Sequence, residues 1–105
     1  MIELATTLYT ELWVSLASLL RSYTAAHGLN RREQATVELG EDQIIVRAGD
    51  RWLKLDRNDA NVTWMRENKT GGNFELTDHG RLKDQSGAEE EMDMQAEAWA
   101  RELMQ

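Results

Sequence analysis

Glu90, Glu91 and Asp93 form the densest group of carboxylates in the chain, with Asp84 a short way before them. Carboxylate oxygens are the hard ligands that ferrous iron, magnesium or calcium accept. On a helix, Glu90 and Asp93 stand three residues apart and share one face. These three acids are the candidate metal ligands. They also have a use without any ligand, because acids in the first turn of a helix complement its dipole. Histidine, the usual general base near neutral pH, occurs only as His27 and His79. His27 ends an apolar helical pattern, and His79 falls in the turn Asp78-His79-Gly80. No nucleophile or ligand set is legible beside either ring. Cysteine is absent, which removes thiolate catalysis, thiolate metal sites and disulfides. Gly71-Gly72 lacks the lysine and the glycine spacing of a phosphate loop and reads as a hairpin turn. No catalytic residue and no cofactor is assigned. The residues point to a binding domain rather than an enzyme, with a small enzyme of unrecognised type left open.

The four tryptophans are many for this length. Trp13 and Trp99 fall on helical patterns and are expected in the core. Trp52 and Trp64 fall on strand patterns, where each faces either the helices or the open side of a sheet. An exposed Trp beside Arg47, Arg51, Arg57 or Arg66 would be an anchor for a protein partner. Trp52 and Trp64 are therefore the candidate interaction residues.

The elements that must position these groups are legible from periodicity. From Ile2 to His27, Leu8, Leu12, Leu16, Leu19, Leu20 and Tyr23 recur at three and four residues, with Ala5 and Tyr9 on the same face. Trp13 and Val14 widen it. Gly28, in a left-handed conformation, and Asn30 are expected to end this helix. From Gln34 to about Lys83 the period is two. Val37 and Leu39, Ile44-Ile45-Val46, Trp52 to Leu55, Val62 to Met65 and Phe74 to Leu76 are strand-like runs. Leu82 marks a sixth short strand. The turns between them are short, and short links favour antiparallel neighbours in sequence order. Gly49-Asp50 suits a two-residue hairpin. Ser86-Gly87-Ala88-Glu89 fits a capping box, with Met92, Ala96, Trp99 and Leu103 as the stripe of a last helix. The expected architecture is α+β: a two-layer sandwich of helix, antiparallel meander of five to six strands and helix, both helices on one sheet face. Leu12, Leu16, Ile44, Val46, Leu53, Leu55, Trp99 and Leu103 are the expected core.

The 105 residues suffice for one domain, 1–105, and one core. Hydrophobic residues at 41% and charged residues at 30% are a globular rather than a disordered balance. The net charge of −7 is local: residues 84–105 hold seven acids against one base. An acidic chain without a basic stripe does not neutralise phosphates, so no nucleic acid is expected as a partner. A basic protein partner or a hard cation is complementary. Glu3 stands where a secretory signal carries basic residues, and Glu11 and Arg21 interrupt the leucine-rich stretch, whereas a membrane span needs a nearly unbroken apolar run. The expectation is a cytoplasmic chain without membrane contact.

The order helix, antiparallel strands, helix is similar to that of the frataxin family. Glu11-Leu12-Trp13 on the first helix, Val62-Thr63-Trp64-Met65, Gly71-Gly72-Asn73-Phe74 and Asp84-Gln85-Ser86-Gly87 each resemble a stretch of that family. The resemblance implies an iron carrier or a regulator of iron–sulfur assembly. Frataxins place their acids on the first helix and first strand, whereas here they gather at the other end. Under the resemblance, iron would fall to Glu90, Glu91 and Asp93. Separately, Leu76-Thr77-Asp78-His79-Gly80-Arg81 looks like the segment after the wing in some winged-helix regulators. The strands upstream and the acidic charge speak against that DNA-binding class.

Overall fold

The computed structural model describes residues 2–29 and 34–104. Helix α1 spans Ile2–His27, and Trp13, Leu16, Ala17 and Leu20 line its buried face. Leu12, Leu19 and Tyr23 pack partly buried against the same core. Val14 is 44% exposed, so the apolar face is not widened on that side. Gly28 is not among the left-handed glycines. Its amide closes the helix on the carbonyls of Thr24 and Ala25. A Cβ at Gly28 would stand 3.0 Å from the Met104 methyl carbon, so this glycine serves close helix packing rather than a left-handed turn. Asn30 lies outside the described residues, as do the side chains of Glu3 and Ala5.

Among the described residues, seven antiparallel strands follow in sequence order across one sheet. They are β1 (Thr36–Leu39), β2 (Gln43–Ala48), β3 (Arg51–Asn58), β4 (Asn61–Arg66), β5 (Gly71–Leu76), β6 (Arg81–Lys83) and β7 (Glu89–Glu91), before helix α2 (Met92–Leu103). Gly49, with φ of 62°, opens the two-residue β2–β3 hairpin as its sequence indicates. Asp59, with φ of 56°, does the same for β3–β4. Directly opposed residues share a face. Ile44, Val46, Leu53, Leu55, Val62, Phe74, Leu76 and Leu82 therefore form one apolar layer. Trp13, Leu16 and Leu20 of α1, with Met92, Ala96, Trp99 and Leu103 of α2, cover it in a single cluster. Both helices thus lie on the same side of the sheet, and the α+β sandwich stands. Every expected core residue is buried except Leu12, which packs partly buried.

The strand count and the start of α2 depart from the expectation of five to six strands and a capping box. Glu89–Glu91 pair with Lys83, Leu82 and Arg81 as a seventh strand. Ser86 sits in the β6–β7 turn, and its hydroxyl donates to Asp84 at 2.6 Å. Glu91 stands in the N-cap position with extended backbone and no side-chain cap. The reason is local competition. Pairing sets Glu89 opposite Lys83 and Glu91 opposite Arg81, and opposite charges across a strand pair contribute comparably to a helix dipole. The sheet hydrogen bonds then decide for the strand. Gly71-Gly72 likewise lies inside β5 rather than in a turn. The β4–β5 reversal is made by Glu67 to Thr70, with Lys69 at φ of 68°.

Two arginines on the inner face close the ends of the core. Arg57 lies over the Trp13 ring at 5.7 Å and donates to the Glu41 carbonyl at 3.3 Å. Arg66 donates to Glu102 at 2.6 Å, and Arg51 reaches the Glu102 carbonyl at 3.1 Å, so the end of α2 is tied to β3 and β4. Among the described residues, no helix is long and apolar enough to cross a membrane.

Candidate functional site

Near the β7 edge the inner layer is not fully covered by the helices. The register places Trp64 opposite Gly72, Val62 opposite Phe74, and Leu82 opposite both Leu76 and Glu90. Trp64 is half-buried, whereas Val62, Phe74 and Leu82 are buried. Trp99 of α2 meets Trp64 edge-on at 5.8 Å and Phe74 at 5.7 Å, distances at which aromatic rings attract beyond simple burial. A cleft of about 700 Å³ opens over Trp64 and Phe74, bounded by Glu89, Glu90, Gln95 and the β6–β7 loop.

Gly72 shapes the cleft floor. A Cβ there would lie 3.0 Å from Trp64 Nε1 and 3.3 Å from two carbons of the indole. The ring lies across the bare backbone of its neighbour, with part of its surface open. Gly71 is tighter still: its Cβ would stand 2.5 Å from the Trp64 carbonyl oxygen. Glycine inside a strand commonly marks such close approach.

The loop that bounds the cleft is pre-organised. The Asp84 carboxylate accepts bonds from the Ser86 amide at 2.9 Å, the Ser86 hydroxyl at 2.6 Å and the Ala88 amide at 3.1 Å. The Ser86 hydroxyl bond foremost, and then these backbone amides, hold the Asp84 carboxyl below the usual carboxylate range, against an opposing effect of desolvation. The Asp84 amide also bonds the Ala88 carbonyl at 2.9 Å, and Gly87 takes φ of 89°. Asp84 is thus committed to its own loop. Glu90 is different. It stands exposed on the helix side of the sheet, and among the described residues it has no ion-pair partner.

The three candidate metal ligands go separate ways. Glu90 faces the cleft. Glu91 is on the opposite face, paired with Arg81 at 3.0 Å. Asp93 accepts the Tyr23 hydroxyl at 2.6 Å, a bond that foremost raises the Tyr23 pKa. Among the described residues, no group of three or more metal-ligating side chains comes together. The two candidate interaction residues also separate. Trp64 faces the helices in the cleft, whereas Trp52 is half-buried on the open face opposite Arg47. Ile45 and Met65 flank Lys54 on that same face, with Met65 48% exposed. His27 Nε2 meets Glu97 at 3.2 Å, and His79 meets Asp78 at 3.5 Å in an exposed turn.

Sequence reasoning left Trp64 facing either the helices or the open side of the sheet, and missed Gly72 and Gln95 as parts of the cleft. The available signal was the glycine pair directly before Phe74, read as a turn rather than as a strand making room for an indole. No family model, curated protein or solved structure matches the chain.

Proposed function

We propose that this chain is a non-catalytic binding domain for a protein partner, and that the cleft over Trp64 is its working surface. The observation that carries this reading is the cleft itself: half-buried Trp64 in a packed aromatic cluster, backed by a strand glycine and edged by a pre-formed loop. An open cleft with an aromatic floor and a rim of polar and acidic groups is a usual make-up of a protein-recognition site. Acid–base chemistry has little support here, because His27 and His79 lie on elements away from the cleft. The acidic charge favours a protein partner over nucleic acid.

The test uses the four tryptophans as position-specific reporters. Labelled with 5-fluorotryptophan, the chain carries Trp13 and Trp99 in the core, Trp64 in the cleft and Trp52 on the open face. Titration with a panel of short acidic, neutral and basic peptides should move the Trp64 fluorine resonance and leave Trp52 in place. Movement of Trp52 alone would put the working surface on the open sheet face. A panel that moves neither resonance at millimolar concentration would overturn the reading.

A further inference from the structure

The strand that floors the cleft is paired along its whole length on one side only. From Gly71 to Glu75, β5 is matched residue by residue to β4. Against β6 only Glu75 and Leu76 are matched, to Lys83 and Leu82. After Lys83 the chain leaves β5 and turns through the Asp84 loop, where the Asp84 amide bonds the Ala88 carbonyl at 2.9 Å. Gly71 to Phe74 therefore form a short edge inside the sheet, at the base of a fork between β5 and the β6–β7 hairpin. The cleft occupies this fork, with Gly72, Asn73 and Phe74 on one side and Gln85, Ser86 and Ala88 on the other.

Backbone groups of successive strand residues point to alternate sides. On the β4 side, the Arg66 amide bonds the Thr70 carbonyl at 2.8 Å and the Leu76 amide bonds the Ala60 carbonyl at 2.7 Å. On the β6 side, the Thr77 amide bonds the Arg81 carbonyl at 2.9 Å. This alternation turns the backbone groups of Gly71 and Asn73 into the fork. Both residues are exposed, and among the described residues neither has a backbone partner there. Unpaired groups of this kind are what an added strand takes up. The Trp64 indole reaches the same place, since it lies 3.0 Å and 3.3 Å from where a Cβ on Gly72 would stand. A strand added to β5 lies about 4.8 Å away, and its residue opposite Gly72 turns its side chain to the helix side. Gly72 puts no side chain between them, so that side chain meets the indole.

Resting on the cleft reading above, we propose that the partner protein inserts a short extended segment into the fork, antiparallel to β5. Its backbone exchanges hydrogen bonds with Asn73, and an apolar side chain opposite Gly72 packs on the Trp64 ring. Antiparallel pairing continues the pattern of the neighbouring strands. The segment spans Gly71 to Phe74 and no further, because Lys83 already holds the next position. Asp84, Glu89 and Glu90 line the cleft and no base does, so lysine or arginine on either side of the apolar residue is complementary. The competing state is a fork served by solvent alone, which predicts no protection of the Asn73 amide by any peptide.

The experiment uses the peptide lysine-threonine-leucine-threonine-lysine, blocked at both ends, and the same peptide with glutamate for lysine. Amide exchange at Asn73 and the tryptophan-indole resonances are read by NMR. In the free domain the Asn73 amide should exchange fast and the Phe74 amide, on the β4 side, slowly. Saturating lysine peptide should move the Trp64 indole, leave Trp52 in place and slow exchange at Asn73 by about tenfold or more. With leucine opposite Gly72, the first threonine stands opposite Asn73. Methylating that threonine's backbone nitrogen should weaken binding by about tenfold or more, whereas methylating the leucine nitrogen, which points away from β5, should change it less than about threefold. The glutamate peptide should bind about tenfold more weakly at low salt, with the difference shrinking as salt rises. Movement of Trp64 without slower exchange at Asn73, or equal effects of the two methylations, would overturn strand insertion and leave the cleft reading standing. Equal binding of the glutamate peptide would overturn the basic partner. Movement of Trp52 in place of Trp64 would overturn the cleft reading itself. Absence of binding by both peptides at millimolar concentration would overturn the insertion of a basic segment.

Discussion

Gly71 and Gly72 are adjacent, occupy the same strand and differ in what a methyl group would meet. A Cβ at Gly71 would lie 2.5 Å from the Trp64 carbonyl oxygen, which belongs to the paired backbone of β4. Carbon and oxygen need more than 3 Å, so Gly71→Ala must push β4 and β5 apart or bend one of them. Overpacking of this kind costs about 1–3 kcal/mol. Gly-to-Ala replacement offsets about 0.4–1 kcal/mol of that by restricting the unfolded chain. The net expectation is a loss of about 1–2 kcal/mol. At Gly72 the nearest atoms are the Trp64 indole, at 3.0 Å and 3.3 Å. A half-buried side chain can yield by a few tenths of an ångström, so strain and chain-entropy gain should nearly cancel. Gly72→Ala is expected within about 0.5 kcal/mol of the parent, with Trp64 displaced. Urea unfolding followed by far-ultraviolet circular dichroism measures both, and the Trp64 indole resonance reports the ring. Gly72→Ala costing more than Gly71→Ala would refute the placement of the two residues and with it the shape of the cleft floor.

The other predictions concern the scaffold. Leu16→Ala should cost about 2–5 kcal/mol, as fully buried leucine truncations do, whereas Val14→Ala on the exposed flank of α1 should stay within about 0.5 kcal/mol; similar losses at both positions in urea unfolding would contradict the orientation of the helix. Glu102→Ala removes the 2.6 Å partner of the mostly buried Arg66 and should cost about 0.5–1 kcal/mol, discounted because Glu102 is itself half exposed, with the urea midpoint decreasing less at high salt. Asp84 should titrate, by carboxyl-carbon NMR, below the usual aspartate range. Its folded-state pKa is depressed, so its contribution to stability is present at neutral pH and is lost as pH falls through that pKa. Ser86→Ala should move the midpoint up, and an unshifted midpoint in the parent would contradict the loop geometry.

How much of this was legible in the sequence depended on whether one period or two competing ones were present. Leu12 to Tyr23 and Met92 to Leu103 are amphipathic over many residues, and no other structure buries those side chains together, so both helices and most of the core follow from spacing alone. The strands from Val37 to Leu76 follow from alternation of branched and aromatic residues. Glu89–Glu91 carry no apolar residue, so alternation has nothing to register. Their strand pairing depends on Arg81 and Lys83 across the sheet, which is tertiary information. The same competition misled the reading of Ser86, whose hydroxyl serves Asp84 rather than a helix amide. The cleft was only half legible. Trp64 drew attention as an aromatic on a strand, but the role of Gly72 depends on which residue stands opposite it, and register is set by the whole meander. The acids at residues 90, 91 and 93 looked like one group because they are close in sequence. A strand sends Glu90 and Glu91 to opposite faces, and the following helix turns Asp93 toward Tyr23.

The most direct test of the account is a set of intermolecular nuclear Overhauser contacts between the carbon-labelled domain and an unlabelled peptide that moves the Trp64 resonance. The account predicts contacts from the peptide side chains to the Trp64 ring and the residues that bound the cleft. Contacts confined to Trp52, Ile45 and Met65 on the open face would contradict it.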